Sequence, residues 1–131
     1  MPPAVLRGIE RETRVVIYHV CKAADWQAAK TTGPYTGSAD DARDGFIHFS
    51  GGDQLRESVA RHRPGQDGLV LLVVDQDRLG PELKWEASRG GALFPHLYGP
   101  LPVSAVVAEH DLSLGPHGSH IFPPDIPGAV R

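Results

Sequence analysis

The sequence has few of the features that mark secreted, membrane-bound or nucleic-acid-binding proteins. It contains one cysteine, so an internal disulfide is excluded and a reducing compartment is favoured. No apolar run approaches the roughly 18 residues that a membrane helix needs, and no secretory signal or lipidation motif is found. The formal net charge of −3 disfavours free nucleic-acid binding, which usually depends on a basic surface. We therefore expect a cytoplasmic protein with no membrane segment and no free nucleic-acid partner.

Length and composition predict one domain. A chain of 131 residues can bury roughly two-thirds of the surface that its unfolded form exposes. The 15 glycines and 12 prolines predict several ordered loops but show no fibrous period. Residues 1–13 predict a loosely held arm, residues 14–111 the core, and residues 112–131 a tail that lies across the surface or frays.

Short hydrophobic segments predict five or six strands in an α+β fold. In the first strand, alternation places Ile17 and His19 on one face and Tyr18 on the other. A continuous aliphatic run predicts a central strand covered on both faces. In a later strand Trp85 is expected to point inward and Glu86 outward. These segments are residues 15–20, 69–74, 83–86 and 103–108.

Two helices are predicted in the first half of the chain. The first covers residues 22–30 and ends before Pro34, because proline cannot continue a helix. The second runs from about Ser50, as N-cap, to about residue 62, with a buried stripe on one face. The intervening residues 39–43 predict a polar turn. Glycines and prolines in residues 88–98 predict an ordered loop that walls a cleft.

The segment around which the fold is predicted to be organised is Asp-Gly-Phe-Ile-His-Phe-Ser, residues 44–50. Asp-Gly is a turn dipeptide, and alternation then places Phe46, His48 and Ser50 on one face of a short strand. We expect the imidazole at the rim of the core, near a helix end that attracts an anion. A hydrogen-bonded structural histidine explains His48 equally well, so this residue alone leaves both interpretations open.

Other site chemistries are weaker alternatives. No zinc-ligand spacing occurs, since His117 and His120 lie in the tail without a third ligand nearby, and we expect no metal. His48 and Ser50 could be neighbours, but no GxSxG motif supports a serine hydrolase. Cys21 adjoins a strand end and a helix start, where a thiol pKa can fall, although a single buried cysteine is more often a small hydrophobe.

Polar and aromatic side chains follow successive predicted strand ends. Because clefts form at strand ends and in the adjoining loops, we expect these side chains to line one cleft. The glycine-flanked arginine of the predicted loop could hold an anion there. The predicted cleft residues are His19, His48, Ser50, Glu86, Arg89, His96 and Tyr98.

Four segments resemble the signature blocks of domain-of-unknown-function family 952, a small bacterial family without an established activity. The resemblance extends from about residue 16 to residue 109. That family in turn resembles ADP-ribosyltransferases and RNA 2′-phosphotransferases, which implies a split, mostly antiparallel sheet like the ADP-ribosyltransferase core. The segments are Ile-Tyr-His-Val at 17–20, the block at 44–50, Trp-Glu at 85–86, and Leu-Phe-Pro-His-Leu-Tyr-Gly-Pro-Leu at 93–101.

The resemblance implies a transferase that acts on NAD, as substrate, or on a related phosphorylated nucleotide. Glu86 and His48 would be catalytic, and Glu86 would bond a hydroxyl and stabilise developing positive charge. His19 would position a ribose, and His48 or Tyr98 would pack on the leaving base. A non-catalytic module that binds a nucleotide or small ligand is the alternative. The implied substrate-binding residues are Tyr18, His19, Ser50, Arg89, His96 and Tyr98.

Overall fold

A computed structural model describes residues 15–124 and 126, except for the side chain of Arg89, as two three-stranded sheets and three helices. The strands are β1 (Val16–Lys22), β2 (Ile47–His48), β3 (Leu69–Asp75), β4 (Leu83–Ala87), β5 (Leu93–Leu97) and β6 (Val106–Leu112). The helices are α1 (Ala23–Thr32), α2 (Ala39–Asp44) and α3 (Leu55–His62). The sheet orders are β1–β3–β6 and β2–β5–β4, and every pairing is antiparallel. The predicted α+β class and split antiparallel sheet are confirmed.

Strand β3 is the centre of the first sheet. All of its side chains are buried except that of Val73, which is half-buried. The strand shows no alternation because both of its faces are covered. Strand β1 pairs along its whole length, from Val16 opposite Asp75 to Lys22 opposite Leu69. The prediction of a central strand over residues 69–74 is confirmed.

Two hydrophobic clusters cover the two faces of the first sheet. One contains Ile17 and Trp26 and joins the sheet to α1 and to the second sheet. The other contains Tyr18 and Leu55 and joins the opposite face to α3. Ile17 and Tyr18 are neighbours in β1, so alternation sends them to opposite clusters. The predicted division of β1 into two faces is confirmed.

Helix α1 confirms the helix predicted over residues 22–30. It ends at Thr32, with Gly33 as the C-cap immediately before Pro34, as the sequence predicts. With ten residues it is the longest helix described. Within the described part of the chain, no helix has the length and apolarity required to cross a bilayer.

The polar turn predicted over residues 39–43 is instead helix α2. The Ser38 hydroxyl accepts from the Asp41 amide at 3.3 Å, and the Asp41 carboxylate accepts from the Ser38 amide at 2.8 Å. This reciprocal capping box satisfies two backbone donors at the helix start, which explains why so short and polar a segment is helical. It also turns Asp41 inward, where the side chain is 3% exposed.

The prediction that Ser50 caps the next helix is wrong. Helix α3 begins at Leu55, with Gln54 at the N-cap position. Ser50 instead forms a bridge to β1. Its amide donates to the Tyr18 carbonyl at 2.8 Å, and its carbonyl accepts from the Tyr18 amide at 2.9 Å. Backbone hydrogen bonds therefore join the segment after β2 to the first sheet. The buried stripe predicted for α3 is confirmed by Leu55 and Val59.

The loop predicted over residues 88–98 contains the central strand of the second sheet. A short 3₁₀ turn at Arg89–Gly91 leads into β5, which lies between β2 and β4. Pro95 favours a loop over a strand in the sequence, because proline donates no hydrogen bond to a β-ladder. The Pro95 carbonyl accepts from the Phe49 amide at 3.0 Å. Because Pro95 cannot donate in return, β2 pairs with β5 at two positions only.

Two strand predictions need smaller corrections. Trp85, expected to anchor β4 in the core, is 41% exposed, and its indole N–H donates to Gln76 at 2.9 Å. Trp85 is the middle residue of β4, which is an edge strand of the second sheet. The segment predicted as a strand over residues 103–108 begins with a 3₁₀ turn at Val103–Ala105, so β6 starts three residues late.

The C-terminal segment is more closely packed than the sequence predicts. The amide of Ile121 donates to the Ser113 carbonyl at 2.8 Å, and Phe122 packs against the cluster that contains α3. Ile126 is buried in the same cluster. The described part of the tail therefore contributes to the core. The predicted arm, residues 1–13, lies outside the described residues.

We predict that truncating a buried side chain of the central strand β3 to alanine destabilises the fold far more than truncating an exposed side chain of the edge strand β6. Leu72 is fully buried in β3, so Leu72→Ala should lower the free energy of unfolding by about 2–5 kcal/mol. Val107→Ala, at an exposed position of β6, should cost less than about 1 kcal/mol. Urea denaturation of the three proteins measures both values, and equal losses would contradict the assignment of β3 as the buried centre.

Candidate functional site

A cleft of about 630 Å³ lies between α2, α3 and the second sheet. His48 of β2 and His96 of β5 line its sheet side. Asp41 and Asp44 of α2 line one flank, and Arg61 of α3 lines the other. The cleft therefore combines acidic, basic and aromatic side chains from three elements.

The structure brings most of the predicted site residues to this cleft. Glu86 and Tyr98 are not among the residues that line it. Glu86 contacts His96, which does line it, and Tyr98 contacts Glu86. The side chain of Arg89 lies outside what the structure describes. The predicted residues that line the cleft are Tyr18, His19, His48, Ser50 and His96.

The imidazole of His48 lies between two carboxylates of α2. Its Nδ1 donates to Asp41 Oδ1 at 2.5 Å, and its Nε2 donates to Asp44 Oδ2 at 2.9 Å. Asp41 and Asp44 are three residues apart on the helix and so share a face. The hydrogen bond from His48 to Asp41 raises the pKa of His48 above its ordinary 6.5, against partial burial. A ring that donates through both nitrogens is an imidazolium.

Asp41 is the buried member of this arrangement. Besides the His48 ring, its carboxylate accepts from the backbone amides of Ser38 at 2.8 Å and His48 at 3.1 Å. Burial alone would raise the pKa of Asp41, but the hydrogen bonds from His48 and Ser38 and the nearby His19 outweigh it and lower the pKa to about 2. Asp41 is therefore a fixed negative charge at the closed end of the cleft.

His19 lies behind His48 and is almost completely buried. Its Nδ1 donates to the His48 carbonyl at 2.6 Å, so in the neutral ring Nε2 accepts from the Tyr35 hydroxyl at 2.9 Å. Burial lowers the pKa of His19, although Asp41 Oδ2, 3.8 Å from Nε2, acts in the opposite direction. His19 is thus a neutral ring of fixed tautomer, and both of its nitrogens bond within the protein.

Tyr35 connects this network to the single cysteine. Its hydroxyl contacts the Cys21 thiol as well as His19. Burial raises the pKa of Cys21 to about 11. The thiol therefore stays protonated near neutral pH, which disfavours Cys21 as a nucleophile.

A second carboxylate–histidine pair lies on the same sheet. His96 Nδ1 donates to Glu86 Oε1 at 2.8 Å, and the Tyr98 hydroxyl donates to the same oxygen at 2.7 Å. The bonds from His96 and Tyr98 lower the pKa of Glu86. Because β4 and β5 pair in antiparallel register, Glu86 and His96 are diagonal neighbours on one face.

Phe46 fills the space between the two histidines. Its ring centroid lies 4.0 Å from that of His96, with 28° between the planes, and 4.6 Å from that of His48. Tyr98 is the next ring, at 5.2 Å. The four rings form a continuous aromatic surface beside the ionised groups.

Three arginines line the cleft, and two of them pair with carboxylates. Arg43 contacts Asp40 at 3.1 Å, and Arg61 contacts Glu57 at 3.0 Å. Arg63 is half-buried, and no carboxylate of residues 15–124 or 126 forms an ion pair with it. Arg63 is therefore the arginine best placed to bind an anion.

Reasoning from the sequence missed Asp41, Asp44 and Tyr35. The pattern Ser38-Ala39-Asp40-Asp41 matches the Ser-x-x-acid signature of a capping box, and that signal could have found α2 and, with it, the shared face of Asp41 and Asp44. No comparable pattern marks Tyr35, because its partners are distant in the sequence.

No metal centre accounts for these side chains. Across the described ranges 15–124 and 126, no group of three or more histidine, cysteine, aspartate or glutamate side chains is arranged to hold a metal ion.

Comparison with known proteins identifies relatives of this chain. Residues 20–109 match the family model described as "Protein of unknown function (DUF952)". The crystal structure of protein CC0527 from Caulobacter crescentus is 53% identical, with a TM-score of 0.78, over 81% of this chain and 93% of that one. The solution NMR structure of CC0527 is 54% identical, with a TM-score of 0.71, over 79% and 90%. No curated protein matches the chain.

The lowered pKa of Asp41 predicts a specific loss of stability in acid. A carboxyl whose pKa is depressed in the folded state stabilises the fold above its unfolded pKa, and this contribution is lost as the pH falls through the folded value. Given a shift from 3.8 to about 2, the stability advantage of wild type over Asp41→Asn should fall by about 2 kcal/mol between about pH 5 and about pH 2.

Urea denaturation across this range measures the difference. Asp111→Asn, which changes an exposed carboxylate of β6, is the matched control and should track wild type. A constant difference between wild type and Asp41→Asn would show that Asp41 is not held ionised by its partners.

Proposed function

The chain belongs to the DUF952 family, whose description assigns no activity, and we propose that it is a transferase acting on a phosphorylated nucleotide. The observation that carries this proposal is the position of His48. Its ring is held by the buried Asp41 through Nδ1, while Nε2 contacts the more exposed Asp44. A protonated imidazole at this position can deliver a proton to a substrate that takes the place of Asp44.

The proton donor depends on two carboxylates that differ in exposure. The Asp41 carboxylate is buried, so it orients the His48 ring and keeps that ring charged. The Asp44 side chain is 38% exposed, so a substrate oxygen can compete for its bond to Nε2. General acid catalysis of this kind typically contributes 10²–10⁴-fold to a rate. His48 is thus the proposed catalytic acid.

The rest of the cleft suits a phosphorylated, aromatic ligand. Arg63 has no carboxylate partner within residues 15–124 and 126, and guanidinium groups bind phosphate in bidentate fashion. Phe46 and Phe94 line the cleft and offer stacking surfaces for a base. A phosphate near Arg63 and a base on the phenyl rings together define a nucleotide.

NAD is the first substrate to test, because the sequence resembles that of ADP-ribosyltransferases. In such a reaction the bond between the ribose and nicotinamide breaks, and an acceptor takes the ADP-ribosyl group. Glu86 supports this assignment, since the carboxylate is kept ionised by His96 and Tyr98 through Oε1 alone. Glu86 lies beside His96 at the edge of the cleft rather than in its lining. A ribose that extends past His96 would reach the second oxygen of Glu86, which could accept from a hydroxyl and stabilise positive charge on the ring.

A second candidate function, nucleotide binding without catalysis, is favoured by His19. A histidine that positions a ribose needs a free ring nitrogen, whereas both nitrogens of His19 bond to His48 and Tyr35. The histidine that the resemblance assigns to the ribose is therefore occupied within the protein. Binding and turnover must be measured separately to distinguish the two functions.

A ligand screen by thermal unfolding tests the binding step. NAD, ADP-ribose and 2′-phosphorylated nucleotides are the probes, and a ligand at 100 times its dissociation constant should stabilise the protein by about 2.7 kcal/mol. Arg63→Gln should weaken binding of the phosphorylated probes at least about tenfold. Arg78→Gln, which changes an arginine that does not line the cleft, should leave binding unchanged.

Turnover of the ligand that binds then separates enzyme from binding module. His48→Asn should lower the rate by about 10²–10⁴-fold while the dissociation constant changes little. His117→Gln, at an exposed histidine of the tail, should behave as wild type. Binding without turnover in the wild type would establish the binding module, and binding of no nucleotide would overturn both functions.

A further inference from the structure

We infer that His48 and His96 form an acid–base pair that transfers a phosphoryl group of a nucleotide phosphodiester from one oxygen to another. The inference deepens the proposed function, because it rests on the same cleft and ligand class. It differs in the bond that breaks, which is a phosphorus–oxygen bond rather than the ribose–nicotinamide bond of NAD.

The register of the second sheet places the two histidines side by side. His48 and His96 are direct cross-strand partners of β2 and β5, so their side chains leave the same face of the sheet. Their ring centroids are 5.9 Å apart, and both residues line the cleft. One substrate group above this face is within reach of both rings.

Each histidine is oriented by a carboxylate through Nδ1. Asp41 holds His48 at 2.5 Å, and Glu86 holds His96 at 2.8 Å. A carboxylate at Nδ1 fixes the tautomer and directs Nε2 toward the substrate. The same orienting device therefore occurs twice, on adjacent strands.

The two Nε2 atoms differ in their surroundings. His48 Nε2 donates to Asp44 and carries a proton. His96 Nε2 makes no hydrogen bond to the described residues, and none of their buried side-chain nitrogens or oxygens lacks a partner, so Nε2 is open to water. In the neutral ring the proton lies on Nδ1, toward Glu86, which leaves a lone pair on Nε2. His48 is thus placed as the acid and His96 as the base.

The proposed step is balanced by these two rings. His96 Nε2 takes the proton of a hydroxyl, whose oxygen attacks phosphorus and forms a new phosphorus–oxygen bond. The bond to the leaving oxygen breaks, and His48 Nε2 gives that oxygen its proton. His96 ends as the imidazolium and His48 as the neutral ring, so proton exchange with water restores the starting state.

Charged groups around the pair support these roles. Asp41 and Asp44 of α2 keep His48 protonated, and Glu86, with Tyr98 donating to it, faces His96. Arg63 is the cleft arginine without a carboxylate partner among the described residues, and Lys84 is the cross-strand partner of His96 on β4. The remaining charged or titratable side chains that line the cleft are Tyr18, His19, Asp40, Arg43, Asp53, Glu57, Arg61 and His62.

Two ribonucleotide substrates separate the acid from the base. Uridine 3′-(4-nitrophenyl phosphate) has a leaving group that departs without a proton, whereas the dinucleotide uridylyl-3′,5′-adenosine needs one. His96→Asn should lower turnover of both by about 10²–10⁴-fold. His48→Asn should cost as much on the dinucleotide but less than about tenfold on the nitrophenyl ester. His117→Gln is the matched control.

Variation of pH and of Glu86 tests the positioning role. The wild-type rate against pH should be bell-shaped, and His48→Asn should remove the basic limb. Glu86→Gln should lower the rate and displace the acidic limb, which the loss of a merely structural contact would not do. Thymidine 3′-(4-nitrophenyl phosphate), which lacks the 2′-hydroxyl, identifies the nucleophile. Turnover of this analogue indicates water, and its absence indicates the substrate hydroxyl.

The outcomes distinguish this inference from the proposed function. No turnover of either ribonucleotide by the wild type, or turnover that survives His96→Asn, would overturn the acid–base pair. Release of nicotinamide from NAD, without cleavage of a phosphodiester, would leave the proposed transferase standing and would also overturn the pair. Turnover of the ribonucleotides with the predicted pattern of losses would support the acid–base pair and, with it, a transferase that acts on a phosphorylated nucleotide.

Discussion

The ion pair between Asp41 and His48 is the interaction on which the rest of the site depends. Asp41 begins as part of a helix cap, since its carboxylate accepts from the Ser38 amide. The same carboxylate accepts from both the amide and the ring of His48. The His48 carbonyl in turn fixes the tautomer of His19. One buried charge thus joins α2, β2 and β1, and the hydrogen bonds from the Ser38 amide and from the amide and ring of His48 make its burial tolerable.

The fold explains why this charge lies beside a cleft. The second sheet is narrow, and its central strand contains Pro95, which limits pairing with β2 to two positions. The face that carries His48, His96 and Glu86 is therefore short and lies close to α2. The opposite face packs Ile47 into the core. A small sheet with one apolar face and one polar face is enough to bring two carboxylate–histidine pairs together.

Hydrophobic patterning predicted β1 by its alternation, β3 by its continuous aliphatic run, and α1 and the buried stripe of α3 by helical spacing. It failed where a polar group controls the structure. The Ser38–Asp41 capping box makes the polar segment before Gly45 helical. The backbone bridge to Tyr18 places Ser50 outside the N-cap of α3. The glycines and proline around β5 are turn-forming residues, so the sequence predicted a loop where the structure has the strand that contains Pro95. For the site, the sequence selected His48, His96 and Glu86, which is the partner of His96. The partners of His48 are Asp41 and Asp44, which depend on a helix that the pattern did not reveal.

The proposed role of His48 as an acid requires that His48 is an imidazolium while the buried His19 is neutral. Long-range ¹H–¹⁵N NMR correlation of the histidine rings near neutral pH measures both states directly. We predict that both ring nitrogens of His48 are protonated and that His19 carries its single proton on Nδ1. The Asp41→Asn variant should lose the His48 signature. A neutral His48 in the wild type would contradict this mechanism, because a neutral ring has one N–H and cannot donate to both Asp41 and Asp44.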